Sequence, residues 1–423
     1  VVGDETMVKV HVHAEDPGPV ISLAAVPPRH LLEQVKAFMH EHVYPIEDEI
    51  YEFVHDPKNL WVPPPQIEAL KKKARDAGLW NLFLPKEYEA YSPGLTNLEY
   101  APLAEAMGSI NWASEIFNCS APDTGNMEVL ARYGSDEQKQ RWLPQLALGA
   151  LMGAFALSEP EAGSDAGSIS TKAERSDSGW SLNGEKRWVT NGCRAGLVIV
   201  FARTGEDGIS AFLVSPDTDG YAVGARESTM GFRASQTVSV KLDGVQLGAE
   251  ALLGDLGRGL PYALEALDLG RVGIAAQAVG IGRSALEHSA KYALERKQFG
   301  RPLADFGATQ AKLAEMARKL SGARLLAHHA GASLEAVASG SGHARTGLDG
   351  VTSRAAIAKL AASEAATWSA DEAIQIFGGY GYMRHYPVEQ LLRDAKGTEI
   401  YEGTNEIMKM VIAREVLRDA AND

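Results

Sequence analysis

From about His30 to Gly149 apolar side chains recur every three or four residues, with Leu31, Leu32, Val35 and Phe38 forming one stripe and Ile67, Leu70 and Ala74 another. That spacing puts each stripe on one face of a 3.6-residue helix and predicts a set of packed helices. Pro63 to Pro65, Pro85 and Pro102 are expected to break the stretch into units, because proline cannot continue a helical hydrogen-bond ladder. Ser135-Asp-Glu-Gln138 reads as a capping box opening the helix that carries Trp142 and Leu146.

Between about Met152 and Gly259 the period changes. Val198-Ile-Val-Phe201 and Ala211-Phe-Leu-Val214 are short β-prone runs, and Val238, Val240 and Leu242 alternate with polar residues. Asn183-Gly184, set between Trp180-Ser-Leu and Glu185-Lys-Arg-Trp188, predicts a tight hairpin, and Asn191-Gly192 repeats the signal. After Leu260 helical patterning returns, with long runs from Leu264 to Arg296 and through Ala355 to Ile376. The polar, glycine-rich stretch from Gly340 to Gly350 reads as a mobile loop between two helices. The expected fold is α+β: an extension over residues 1–28, a helical domain over 29–150, a small β domain over 151–260 and a helical bundle over 261–423.

Composition narrows the function classes. Apolar residues make up 45% of the 423, enough for a real core, and 55 acidic against 41 basic side chains leave a net charge of −14. That balance disfavours nucleic acid as a partner. No run approaches the roughly 18 apolar residues of a membrane span, so no membrane insertion is expected. Two cysteines, Cys119 and Cys193, are too few for a disulfide framework and suit a reducing compartment.

Several motifs fail on inspection. Gly280-Ile-Gly282-Arg-Ser-Ala285 matches a dinucleotide fingerprint formally, but it lies inside a helical run where that motif needs a preceding strand. Small residues permitting close helix packing are the better reading. The pairs His11/His13 and His40/His42 lack further ligands nearby, so no metal is expected.

Four stretches hold together: Phe155-Ala-Leu-Ser158-Glu-Pro-Glu-Ala-Gly163-Ser164-Asp165; Trp188-Val-Thr190-Asn191-Gly192; Arg296-Lys-Gln298-Phe299-Gly300; and Gln375-Ile-Phe-Gly378-Gly379 followed by Tyr401-Glu402-Gly403-Thr404. Taken singly, each has an ordinary reading as a turn, a buried aromatic or a solvated charge. Together, in this order and spacing, they resemble the acyl-CoA dehydrogenase family, from about residue 30 to residue 418. Ala101-Pro-Leu-Ala-Glu-Ala-Met107 and the segment Phe117 to Met127 resemble the branch whose animal members carry a kinase-like domain, whereas Ala162-Gly163-Ser164-Asp165 resembles the short- and medium-chain branches.

The resemblance implies FAD as cofactor and α,β-dehydrogenation of an acyl-CoA thioester. On this likeness Phe155, Leu157, Ser158, Gly163, Ser164, Trp188 and Thr190 lie along the flavin, with Thr404 and Glu406 also on the cofactor side. Arg296, Gln298, Phe299, Gln375, Gly378 and Gly379 resemble residues that a neighbouring subunit brings to the adenosine and pyrophosphate half, which implies a homo-oligomer: a tetramer, or alternatively a dimer. Glu402 occupies the position of the catalytic base; other branches carry that carboxylate where this chain has Gly270. Ser164, Asp268, Arg271, Tyr401 and Gly403 resemble substrate-contacting positions, and Phe117 falls near the far end of the acyl tunnel. One departure stands out, since Gly307 replaces a family glutamine that touches the cofactor, and weaker FAD retention is expected. The implied electron acceptor is an electron-transfer flavoprotein, and the implied location is the cytoplasm of a bacterium or an organelle matrix. Action on a carrier-protein thioester, an oxidase activity and a non-catalytic helical assembly role remain alternatives.

Overall fold

The computed structural model describes residues 29–422 except 60, 85–90, 178 and 339–346. The N-terminal extension, Pro85 and most of the glycine-rich stretch after Gly340 lie outside these described residues.

The helical segments are α1 (Arg29–Phe38), α2 (Glu47–His55), α3 (Pro65–Asp76), α4 (Asn97–Gly108), α5 (Ala113–Ile116), α6 (Asp123–Tyr133) and α7 (Asp136–Ala147). Pro64 and Pro65 occupy the start of α3, where a missing N–H costs nothing. Ser135 and Gln138 form the expected reciprocal cap of α7. Pro102, in contrast, sits inside α4 and does not break it; the Thr96–Glu99 capping box fixes the start of that helix five residues earlier. Tertiary packing of Ala101, Leu103, Ala104 and Met107 outweighs the lost backbone bond.

The central strands are β1 (Gly153–Ala156), β2 (Lys172–Ser176), β3 (Gly179–Thr190), β4 (Leu197–Arg203), β5 (Ile209–Val214), β6 (Tyr221–Arg226), β7 (Thr237–Gly248) and β8 (Leu252–Leu253). They form one mixed sheet ordered β6-β7-β3-β2-β4-β5-β8, with β1 parallel to β4. Strand β4 is apolar on both faces because both are covered. Leu197, Ile199 and Phe201 join the core of the N-terminal helices, while Val198, Val200 and Ala202 join a second core inside the sheet domain.

The hairpin expected at Asn183-Gly184 is not there. Strand β3 runs straight through it, and β2 and β3 already pair at Ser176 and Gly179. The dipeptide instead marks a bulge against β7, where a Cβ on Gly184 would lie 2.7 Å from Thr171 Cα and Asn183 Oδ1 accepts from Gly244 N at 2.8 Å. Asn191, at φ 64°, does end the strand.

The C-terminal part contains α8 (Gly259–Glu295), the short ribbon β9 (Lys297–Gln298) and β10 (Arg301–Pro302), then α9 (Gly307–Ala338), α10 (Val351–Phe377), α11 (Val388–Thr398) and α12 (Asn405–Asn422). Helices α8 and α10 approach through small residues such as Ala275, Ala278, Ala358 and Ala362. Gly280 serves packing as expected, since its Cβ would stand 2.9 Å from Gly108 Cα where α4 crosses α8. Among the described residues no helix is long and apolar enough to cross a membrane.

Candidate active site

Glu402 lies in the turn between α11 and α12. Its backbone is left-handed, φ 58°, and Gly403 follows at φ 93°. A non-glycine residue held there costs about 1–2 kcal/mol, which the surroundings must offset. The turn is tied down at successive carbonyls. Arg271 Nε of α8 donates to the Glu402 carbonyl at 3.1 Å, and Lys359 Nζ of α10 donates to the Gly403 carbonyl at 2.8 Å. Arg271 also pairs with Asp268, whose other oxygen accepts from Thr352 Oγ1 at 2.5 Å. Tyr401 Oη hydrogen-bonds to Gln277 Oε1 at 3.0 Å, and its ring meets Phe232 edge-on.

The side chain of Glu402 points back against α8 at Gly270. A Cβ there would stand 2.9 Å from the Glu402 carboxyl carbon and 3.0 Å from Oε1, so only glycine leaves the carboxyl its place. Oε2 is buried and has no hydrogen-bond partner among the described residues. Burial pushes this carboxyl from 4.5 up to about 7; Arg271 and Lys359 oppose the rise, and Glu128 adds to it. Glu128 on α6 is itself pushed up to about 7 by burial, opposed by Arg132. A carboxyl near neutrality, buried without a partner, is poised to take a proton from a weak carbon acid.

A second group of residues lies on the sheet. Trp188 sits at φ 55° within an irregularity of the β3–β7 register between Lys186 and Val189, and the residue is 55% exposed. The bulge turns this apolar ring outward, and a Cβ on Gly163 would come within 4.0 Å of it. Thr190 Oγ1 lies 3.2 Å from Thr237 Oγ1. Beneath this surface is a pair the sequence did not single out. Lys186, fully buried, donates to the Leu157 carbonyl at 3.0 Å and to Glu159 at 2.7 Å. Glu159 accepts in turn from the amides of Ser170 and Thr171 at 2.6 and 2.9 Å. Burial resists ionisation of Glu159, but these bonds outweigh it and hold the carboxyl at about 2. Arg187 N closes the loop by donating to the Ser158 carbonyl at 2.9 Å. Phe155 is anchored on β1 by its ring contact with Phe201, while Ser164 stays exposed.

The third group stands apart. Arg296 lies over the Tyr380 ring at 5.4 Å, and Phe299, 94% exposed, tips the β9–β10 ribbon beside Gln298. Gly378 and Gly379 present open backbone just past the end of α10, whose last turn carries Gln375. One chain brings Arg296 against Tyr380, next to the 375–379 segment, and among the described residues no hydrogen bond, ion pair or ring contact joins this group to Glu402. The stretch of α8 from Gly270 to Glu295 spans about 38 Å at 1.5 Å per residue. Thr404 caps α12 by accepting from Ile407 N at 3.3 Å, and Glu406 is exposed on the first turn of that helix.

Fold and site define a helix–sheet–helix protein that carries a buried carboxyl on the α11–α12 turn and an aromatic, hydroxyl-bearing patch on its sheet. The chain belongs to the acyl-CoA dehydrogenase family and is an oxidoreductase of that family: family models match residues 28–150 as its N-terminal domain, 154–245 as its middle domain and 257–417 as its C-terminal domain. A Bacillus subtilis acyl-CoA dehydrogenase is 42% identical over 352 residues, covering 82% of this chain and 89% of the relative. The solved structure of a putative acyl-CoA dehydrogenase from Mycobacterium abscessus superposes with a TM-score of 0.86 at 35% identity, covering 94% of this chain and 99% of that one. An acyl-CoA dehydrogenase from Bacillus anthracis, solved in complex with FAD, gives 0.81 at 30% identity over 95% of this chain and 70% of that one.

The residues present fit a flavin. Trp188 offers a half-exposed plane, the Leu157 and Ser158 carbonyls are held by Lys186 and Arg187, and the buried Oε2 of Glu402 lacks a partner among the described residues.

Proposed function

We propose that the protein is an FAD-dependent acyl-CoA dehydrogenase that converts an acyl-CoA to its trans-2-enoyl-CoA, with Glu402 as the base. The observation that carries this reading is the unpartnered, buried Oε2 of Glu402 over Gly270, with its carboxyl raised to about 7. Ionised Glu402 removes the α-proton at Oε2, and the β-hydrogen leaves with its electron pair as the double bond forms. When bound, FAD supplies the acceptor for that hydride. The Glu402 amide N–H makes no hydrogen bond among the described residues, which leaves it free to polarise the thioester oxygen as negative charge develops. Trp188 and the loop beginning at Leu157 exclude water and orient the ring.

Ser164, Asp268, Arg271, Tyr401 and Gly403 are assigned to the substrate side, and Phe117, fully buried against Phe38, to the end of the acyl pocket. The distance along α8 between Gly270 and the Arg296 region supports a second copy supplying Arg296, Gln298, Phe299, Gln375, Gly378 and Gly379, with four copies as the assembly. The acceptor downstream is assigned to an electron-transfer flavoprotein.

The test is an anaerobic visible spectrum of FAD-loaded protein titrated with acyl-CoAs of four to sixteen carbons. Bleaching by one class of chain length is the expected result. A flavin spectrum that no acyl-CoA changes, or protein that takes up no FAD, would overturn the reading.

A further inference from the structure

Lys359 is wholly buried in α10 and has no carboxylate within salt-bridge distance among the described residues. Burial pushes its ammonium down to about 8, with Arg271 adding to the effect. An unpaired ammonium in a dry site is costly and persists where it has other polar work. Packing does not ask for it, because its neighbours along the helix, Ala355, Ala358 and Ala362, close the α8–α10 interface with small side chains. Two of its donors instead serve the turn that carries Glu402. One reaches the Gly403 carbonyl at 2.8 Å, and another reaches Asn405 Oδ1 at 3.0 Å, which Ser363 Oγ also contacts at 3.1 Å. Asn405 N donates to Glu399 O at 2.9 Å, so the turn is closed at both ends around the left-handed pair 402–403.

Resting on the reading of Glu402 as the base, we infer that Lys359 is a positioning residue for the reaction: it holds the Gly403 carbonyl and Asn405 so that the strained Glu402 backbone keeps its carboxyl over Gly270. Arg271 performs the matching task one carbonyl earlier, but from the substrate-side helix. Lys359 also contributes to the field at the base. The charged groups facing Glu402 are Arg271 from α8, Lys359 from α10 and Glu128 from α6, with Tyr401 adjacent; those facing Lys359 are Arg271, Glu399, Glu402 and Glu406. Losing the Lys359 cation leaves Glu128 less opposed, so the base holds its proton to higher pH.

The experiment uses FAD-loaded enzyme carrying Lys359→Met, Lys359→Gln or Glu402→Gln, with kcat, KM, the pH profile of kcat/KM, the flavin-to-protein ratio and the melting temperature read for each. Lys359→Met is expected to lower kcat per bound flavin on the order of a hundredfold, the scale set by displacing a reacting group by about 1 Å, with KM little changed. Lys359→Gln, whose amide still donates to the Gly403 carbonyl, recovers part of that loss, while both variants move the acid limb to higher pH. Should Lys359→Met fail to fold, Lys359→Gln decides through the acid limb. Wild-type kcat per flavin with an unmoved acid limb in the folded variants would overturn the inference, as would activity lost only in proportion to flavin or folded protein. Full activity in Glu402→Gln would remove the base reading itself, an outcome visible without any Lys359 variant.

Discussion

Gly270 on α8 and Glu402 in the α11–α12 turn share one small volume: a Cβ on the glycine would stand 2.9 Å from the carboxyl carbon of the glutamate. Gly270→Ala therefore separates stability from activity. Helix propensity favours alanine by up to about 1 kcal/mol, and the side chain in the way is a flexible carboxyl end, so the melting temperature should hold or rise. The displaced carboxyl should lower kcat by about a hundredfold. Thermal melts and steady-state rates on one preparation check both halves.

The pH dependence follows from Glu402 at about 7 against an ordinary 4.5. Activity needs the carboxylate, so kcat/KM should rise with pH through about 7. Stability runs the other way: between those two values the folded chain keeps a proton that the unfolded chain releases. This group's favourable contribution is present below about 4.5 and lost as pH climbs to about 7. Glu128→Gln removes a negative charge that raises the base, so its pH profile should move to lower pH. An unmoved limb would show that the two carboxyls do not interact.

Lys186 and Glu159 are 0% and 3% exposed, and removing either partner strands the other's charge. Breaking such a pair costs about 3–5 kcal/mol, so Lys186→Met should lower the denaturation midpoint sharply. It should also release the Leu157 carbonyl and weaken FAD binding. Denaturant unfolding combined with flavin titration is the check.

Gly307 opens α9, and among the described residues nothing lies within 4 Å of where a Cβ would be. Gly307→Gln should be accommodated and should tighten FAD retention by about 0.5–1.5 kcal/mol, measured as a lower FAD dissociation constant. No change would mean that the missing glutamine is not a cofactor contact in this protein.

Periodicity alone was enough to read the helix–sheet–helix order, because α8 and α10 are long and β4 and β5 are near-continuous apolar runs. It failed at Asn183-Gly184, where turn chemistry is local but the choice between hairpin and bulge belongs to the partner strand β7 and to Thr171 across the sheet. Pro102 misled for a similar reason, since neighbours distant in sequence hold α4 together. Glu402, Trp188 and Arg296 were singled out by motif order alone. Lys359, Lys186 and Glu128 were not, because each gains its meaning from groups elsewhere in the fold: Gly403, Leu157 with Glu159, and Glu402. The one available signal was a lysine set among alanines in α10.

The most direct measurement is the anaerobic reductive half-reaction of Glu402→Gln, loaded with FAD and mixed with the best acyl-CoA under stopped flow. An intact flavin spectrum that acyl-CoA perturbs but does not bleach, beside rapid bleaching in the wild type, is the expected result. Bleaching of the variant at the wild-type rate would contradict Glu402 as the group that takes the α-proton.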